Sequence, residues 1–289
     1  MAPQNFEISA KNQNYKSCIR ENCYNRSQMR ILTWNINSLR IRLPHLQRVC
    51  ERLNPDIVCL QETKVPDDLF PEEEVRNIGF PHLHFTGMKS YNGVAILSKI
   101  PLSASHTKNW CGKDDCRHIS VELPSGTELH NFYVPAGGDT PDPDTNAKFK
   151  HKLDFLKEMK EWFPSIVPAK RILVGDLNIA PLETDVWSHK QLLDVVSHTP
   201  VEVEALDNVM QSHDWIDAVR KFAPKDERLF SWWSYRNRTW PGSNRGRRLD
   251  HIWVTQDLGA NVTATQVFME ARGWQKPSDH VPVVVDIEE

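Results

Sequence analysis

Short apolar runs bounded by polar or turn residues recur along the chain and read as strands. They fall at 30–35, 56–61, 81–86, 93–98, 117–122 and 128–134, and again at 171–176, 248–254, 261–268 and 282–287. Helical spacing appears between them near 43–53, 71–78, 187–196, 202–212 and 215–222. The longest helical pattern runs from Thr145 to Phe163, with Phe149, Leu153, Leu156, Met159 and Phe163 on one face. Strands and helices alternate irregularly, and some neighbouring strands are joined by short turns such as Pro124-Ser125-Gly126, which predicts mixed sheets in an α/β arrangement. Periodicity does not fix the number of layers.

Residues 1–28 break this pattern. They are rich in Asn, Gln, Ser and Lys and nearly free of aliphatic residues, so they cannot offset the entropy of folding and are expected to be a disordered extension. A transit peptide is disfavoured because Glu7 and Glu21 interrupt the stretch and arginine is scarce. For residues 29–289, length alone allows one large domain or two. The chain has 289 residues, 39% hydrophobic and 25% charged, and no apolar run reaches the roughly 18 residues of a membrane span. Its net charge of −3 carries no global signature of nucleic-acid binding, but Arg236–Arg248 contains five arginines and no acidic residue. Of the six cysteines, Cys50 and Cys59 lie in apolar segments and are expected as buried thiols. The pairs Cys18/Cys23 and Cys111/Cys116 have a spacing that could suggest zinc or a disulfide, but a structural zinc site needs four ligands and usually uses tighter pairs, so they read as incidental reduced cysteines.

The candidate chemistry sits at strand ends. Ile172-Leu173-Val174 leads into Asp176-Leu177-Asn178, and residues two apart on an extended chain share a side, so the acid and the amide can face one cleft. Lys276-Pro-Ser-Asp279-His280 adds a second Asp and a His. Arg30–Asn37 is an apolar strand ending in Asn35 and Asn37, and Asp56–Glu62 is a buried-type strand ending on a carboxylate. Arg247-Arg248-Leu249-Asp250 places another Asp at the start of an apolar run. Each alone has an ordinary reading as a cap, a turn residue or a solvated edge. Their combination suits hydrolysis of a phosphate ester.

In this order, these motifs resemble the exonuclease/endonuclease/phosphatase superfamily, and within it the exonuclease III type of abasic-site DNA repair nuclease. The resemblance covers the chain from about Met29, which looks like a family start and suggests that the residues before it reflect a start codon chosen too far upstream. It implies a single catalytic domain over residues 29–289, a four-layered α/β sandwich, two packed mixed β-sheets flanked by helices. It also implies a Mg²⁺ site, able to accept Mn²⁺, formed by Asn37, Glu62 and Asp279 with Asp176 and Asn178. The catalytic set it implies is Tyr133, Asp176, Asn178, Asp250 and His280, with Asp250 fixing the imidazole tautomer. The implied substrate-side residues are Asn35, Trp232, Arg236, Arg245 and Arg247. Ala136 and Asp139 depart from the family pattern, which often has an amide and a basic residue there.

The implied activity is incision of duplex DNA 5′ to abasic sites, with 3′-end trimming and 3′–5′ exonuclease action, by a cytoplasmic bacterial-type monomer. The run Phe230-Ser-Trp232-Trp233-Ser-Tyr235 through Trp240 to Arg248 supports it, because arginines neutralise phosphates and aromatic wedges replace a missing base. Trp233 and Trp253 are expected in the core, Trp232 and Trp240 less so. Two rivals are a phosphatase of small phosphate esters, which would lack this arginine-aromatic run, and a catalytically dead DNA-binding scaffold, which would not keep every polar strand end.

Overall fold

The computed structural model describes residues 28–167, 169–236 and 239–288. The expected extension therefore lies outside the described residues, except for Gln28, which pairs with Glu288 in the first strand. In chain order the strands are β1 (Gln28–Asn35), β2 (Ile57–Gln61), β3 (His82–Met88), β4 (Tyr91–Ser98), β5 (Ser103–Thr107), β6 (His118–Glu122) and β7 (Glu128–Tyr133). They continue as β8 (Arg171–Asp176), β9 (Ile216–Asp217), β10 (Trp232–Trp233), β11 (Gly246–Arg247), β12 (Asp250–Val254), β13 (Val262–Val267) and β14 (Val283–Glu288). Two six-stranded sheets result, ordered β13-β14-β1-β2-β4-β3 and β5-β6-β7-β8-β12-β9, with β10 and β11 as a separate ribbon. Among the described residues only β1/β2 and β7/β8 pair in parallel, so both sheets are mixed as expected.

Alternation within the strands builds the layers. Ile31 of β1, Ile57 of β2, Ile172 and Val174 of β8 and Ile252 of β12 fill the space between the sheets. Leu32 and Trp34 point outward to helix α1 (Leu39–Leu53) and to Val75 of α2 (Glu72–Ile78). On the other face Leu173 and Trp253 meet α3 (Ala147–Trp162) and the later helix Pro200–Ser212. The remaining helices are α4 (His189–Leu192), α5, the Pro200–Ser212 helix itself, and α6 (Ala218–Phe222).

Several elements differ from the expectation, each for a local reason. Helix α1 begins a turn before residue 43, and its backbone leaves helical geometry at Arg42, two residues before Pro44. The helix expected over 187–196 shrinks to His189–Leu192, and the chain then turns through Ser197 at φ 89°. Strand β5 was not anticipated because all five of its residues are exposed, leaving no apolar face to read. On α3 the buried face runs through Lys152 and Phe155, while Leu153 is only half-buried. Cys50 and Cys59 are buried free thiols, and Cys111 and Cys116 are free as well. Cys18 and Cys23 lie outside the described residues. Among the described residues, no helix is long and apolar enough to cross a membrane.

The base of the second sheet carries a pH-sensitive contact. Glu128 binds His130 at 3.3 Å and Arg171 at 2.6 Å. The His130 hydrogen bond, followed by Arg171, holds the Glu128 carboxyl down to about 2 from 4.5. A depressed carboxyl contributes stability above its unfolded value and loses it as pH falls through the folded one. Glu128→Gln should therefore lower Tm at pH 7, and the gap to wild type should close between about pH 4.5 and pH 2. Thermal melts across that range check this; a gap independent of pH would assign the effect to packing.

Candidate active site

Parallel pairing sends β1 with β2, and β7 with β8, to the same rim of the sandwich. There the space between the sheets turns polar. Gln61 donates to Thr33 Oγ1 (2.9 Å) and Asn131 Oδ1 (2.7 Å), and Asn131 donates to the carbonyls of Leu60 and Ala95. One step further along β1, Asn35 Nδ2 donates to Glu62 Oε1 (2.9 Å) and Asp176 Oδ2 (2.8 Å). That single carboxamide joins the two sheets at the site. Asn35 is wholly buried, and its Oδ1 accepts from the Asn37 backbone amide. Both amide hydrogens of Asn35 are thus used within the protein, on the carboxylates of the two sheets.

Antiparallel register sets Asp250 at the start of β12 directly opposite Asp176 at the end of β8. His280 lies between them, with Nδ1 2.8 Å from Asp250 Oδ2 and Nε2 3.6 Å from Asp176 Oδ2. Ser231 Oγ donates to Asp250 Oδ2 at 2.6 Å and accepts from the amides of Leu249 and Asp250, which fixes the carboxylate. Burial alone would lower the His280 imidazole, but Asp250 and Asp176 outweigh it and hold it up to about 10. The ring is therefore an imidazolium and a donor. Burial pushes Asp176 up to about 7, against the pull of His280. Asn178, at φ 56°, donates its backbone N–H to Asp176 Oδ1 (2.9 Å) and Nδ2 to Val134 O (2.9 Å).

The other half of the site is an oxygen cluster. Glu62 Oε1 accepts from Tyr133 Oη at 2.8 Å, and Glu62 Oε2 lies 2.7 Å from Lys64 Nζ. Lys64 Nζ also donates to Asn37 Oδ1 at 2.6 Å. Asn37 Nδ2 donates to Asp279 Oδ1 (3.0 Å), and Trp232 Nε1 donates to Asp279 Oδ2 (3.0 Å). Burial would raise the carboxyl of Glu62, but Lys64 and Asn35 bring it below its usual value. Burial, Glu62 and Asp176 push the Tyr133 phenol well up, so it stays a neutral hydroxyl.

Glu62 Oε2 and Asn37 Oδ1 already converge on one cation, the Lys64 ammonium, and carboxylate plus amide oxygen is the donor set a hard divalent ion prefers. Glu62 and Asn37, with Asp279 beside them, fit such an ion. Asp176, Asp250 and His280 also lie within 4.8 Å of one another. His280 is a poorer ligand, because its Nδ1 is engaged by Asp250 and the ring is cationic.

A cleft of about 980 Å³ opens over these groups, lined by Glu62, Tyr133, Asn178, Asp279 and His280 together with Trp187, Trp232, Arg236, Arg245 and Arg247. Ala136 and Asp139 of the departing loop line it too. The arginine run does not act as one patch. Arg236 and Arg245 are exposed, and Arg245 stacks on Trp187 at 4.7 Å. Arg247 is half-buried, lies 5.2 Å over Trp232, and gives Nη1 to Val196 O and Ser197 Oγ. Arg248 is fully buried in bonds to Asp185 and Asp217, so its inclusion in a phosphate grip is corrected. Arg238 lies outside the described residues. Trp233 and Trp253 are buried as expected, and Trp240 packs edge-on against Trp233 at 6.2 Å rather than facing the cleft as a free wedge.

Sequence reasoning missed Lys64, Lys152 and Arg42. Arg42 donates to Asn37 O, to Pro277 O (3.0 Å) and to Tyr235 Oη (3.0 Å), tying the Asn37 loop to the Asp279 loop. No local pattern marks an arginine inside a helix as buried.

A mixed two-sheet sandwich with carboxylates, amides and an Asp–His pair on one rim defines a phosphoester hydrolase. Residues 32–280 match the Endonuclease/Exonuclease/phosphatase family, and the chain belongs to it. It is 30% identical over 268 residues to exodeoxyribonuclease III of Haemophilus influenzae, covering 88% of this chain and 98% of that one. An AP endonuclease from Archaeoglobus fulgidus superposes with a TM-score of 0.84 at 30% identity, covering 90% of this chain and 100% of that one. A 3′ phosphatase from Neisseria, solved with a product DNA hairpin, superposes with a TM-score of 0.83 at 30% identity over 90% of this chain and 100% of that one.

Proposed function

We propose that the chain is a Mg²⁺-dependent DNA repair nuclease. It hydrolyses the phosphodiester 5′ to abasic sites and leaves a 3′-hydroxyl, and it also trims 3′ ends and degrades duplex from them. Mn²⁺ is able to substitute. The enzyme works as a monomer on double-stranded DNA, and residues 29–289 form its catalytic domain.

The observation that carries this reading is the contact between chemistry and grip. Trp232 donates to Asp279, so the aromatic wall begins at the catalytic rim and continues through Arg247, Trp187 and Arg245. A base-free sugar turned out of the duplex needs an apolar wall in place of a base, next to the phosphate to be cut. The donor end follows from the hydrogen bonds. His280 presents a fixed imidazolium to a non-bridging phosphate oxygen, and Tyr133 adds a neutral hydroxyl. Asp176, which burial raises to about 7, serves either as the base that takes the water's proton or as the acid that protonates the departing oxygen, while Asn178 orients water and phosphate. A divalent ion at Glu62 and Asn37 would supply charge neutralisation of the phosphate.

A panel of four substrates tests the reading: duplex with a tetrahydrofuran abasic analogue, duplex with a 3′-phosphate, intact blunt duplex, and inositol phosphates. Cleavage of the abasic duplex with no phosphate release from inositol phosphates is expected; the reverse would place the chain among the small-ester phosphatases.

Two further outcomes concern the grip. Neutralising Arg236 and Arg245 together should flatten the slope of log affinity against log salt by up to ~1.8, at about 0.9 per phosphate contact. Binding titrations from 50 to 200 mM salt measure it, and an unchanged slope would remove these arginines from the phosphate path. Trp232→Ala should weaken abasic-site discrimination more than general duplex binding, because it alters the wall and removes no charge. Equal loss on undamaged duplex would make Trp232 a packing residue.

A further inference from the structure

The cleft wall that carries Ala136, Asn178 and Ser197 rests on a charge pair that lies entirely inside the protein. Lys152 of α3 and Glu202 of α5 are both fully buried, with Nζ 2.5 Å from Oε1. All three ammonium donors are used, on Glu202, on the carbonyl of Asn178 (2.8 Å) and on the carbonyl of Ala136 (3.3 Å). Glu202 in turn accepts from the amides of Ser197 and Thr199 and from the Thr199 hydroxyl. One buried pair thus ties together the loop after β7, the loop after β8 and the Val196–Ser197 turn. Each of these three loops contributes to the cleft lining.

Stability does not account for the pair, since a well-packed apolar pair of similar volume is often as stable or more so. What an apolar pair cannot do is donate to two carbonyls on separate loops. Asn178 stands in the left-handed region at φ 56°, a backbone state that asparagine tolerates. Its amide is fixed on Asp176, its Nδ2 on Val134 and its carbonyl on Lys152, which leaves Oδ1 as the atom without a partner among the described residues, on a residue that lines the cleft. The loop fits closely over the lysine stem: a Cβ on Gly137 (φ 91°) would stand 3.1 Å from Lys152 Cδ and 3.0 Å from Val196.

We infer that Lys152 and Glu202 are positioning residues for phosphodiester hydrolysis. They set the Asn178 carboxamide and, through Ser197 and its bond from Arg247, the adjoining wall of the cleft. This inference rests on the function proposed above. It predicts that removing the pair costs turnover rather than substrate affinity.

Lys152→Met alone strands a buried carboxylate and should be destabilised, so the informative variant is Lys152→Met/Glu202→Leu. In it the melting temperature should return to near wild type while kcat on abasic duplex stays about 10–100-fold down and KM moves less than about threefold. Recovery of kcat to within about threefold of wild type, together with stability, would overturn the inference and make the pair a core filler. Glu202→Gln keeps the shape and is the second variant if the apolar pair does not fold. It should lower kcat about fivefold at unchanged KM, and unchanged kcat would count against the inference. Wild type on the same duplex separates the two levels. If wild type leaves abasic DNA uncut, the substrate reading fails, and the same variants then judge the pair on the phosphoester that wild type does hydrolyse.

Discussion

Asp176→Asn will lower the single-turnover rate of incision by roughly 10²–10⁴-fold, and added Mg²⁺ will not restore it. The reason is the position of the group. Asp176 is buried opposite Asp250, accepts from Asn35 and from the Asn178 amide, and is pushed up to about 7 by burial, which suits it to proton transfer. The amide substitution keeps the shape and removes the proton-transfer function. His280→Ala should lose a similar factor, because it removes the imidazolium that Asp250 holds in place. Quench-flow incision assays over a range of Mg²⁺ concentrations measure both. Restoration of Asp176→Asn by metal would mean that Asp176 serves as a ligand rather than in proton transfer.

Glu62→Ala will behave differently. Most activity should vanish at low Mg²⁺ and return in part as Mg²⁺ is raised, since one of several oxygen donors is lost while Asn37 and Asp279 remain. The same change frees Lys64 from its carboxylate and Tyr133 from its acceptor, so recovery should stay incomplete. A metal titration of incision rate separates the outcomes. An activity loss that is the same at every Mg²⁺ concentration would deny Glu62 a ligand role.

Much of the site was legible because strand geometry delivers it. Asn35, Glu62, Tyr133, Asp176 and Asp250 all stand at or beside the ends of apolar runs, and such runs are what periodicity detects. Their convergence was legible only through the family resemblance, since spacing does not say that β1/β2 and β7/β8 are the parallel pairs. What escaped was charge in unexpected places. Lys152 lies on the buried face of α3 between Phe149 and Phe155, where a charge is not expected, and the partner Glu202, fifty residues on, offsets its burial. Arg248 belongs in sequence to a basic run and in space to Asp185 and Asp217, because the extended backbone turns neighbouring arginines to opposite faces. The ribbon β10–β11 has two residues per strand, too few for alternation to register.

The most direct test is incision of a 5′-labelled duplex carrying one tetrahydrofuran abasic analogue, followed in Mg²⁺ and in excess EDTA. The predicted result is a single labelled product ending in a 3′-hydroxyl immediately 5′ to the lesion, extendable by a polymerase and absent in EDTA. An uncut lesion strand in Mg²⁺, or a product that forms equally in EDTA, would contradict the account.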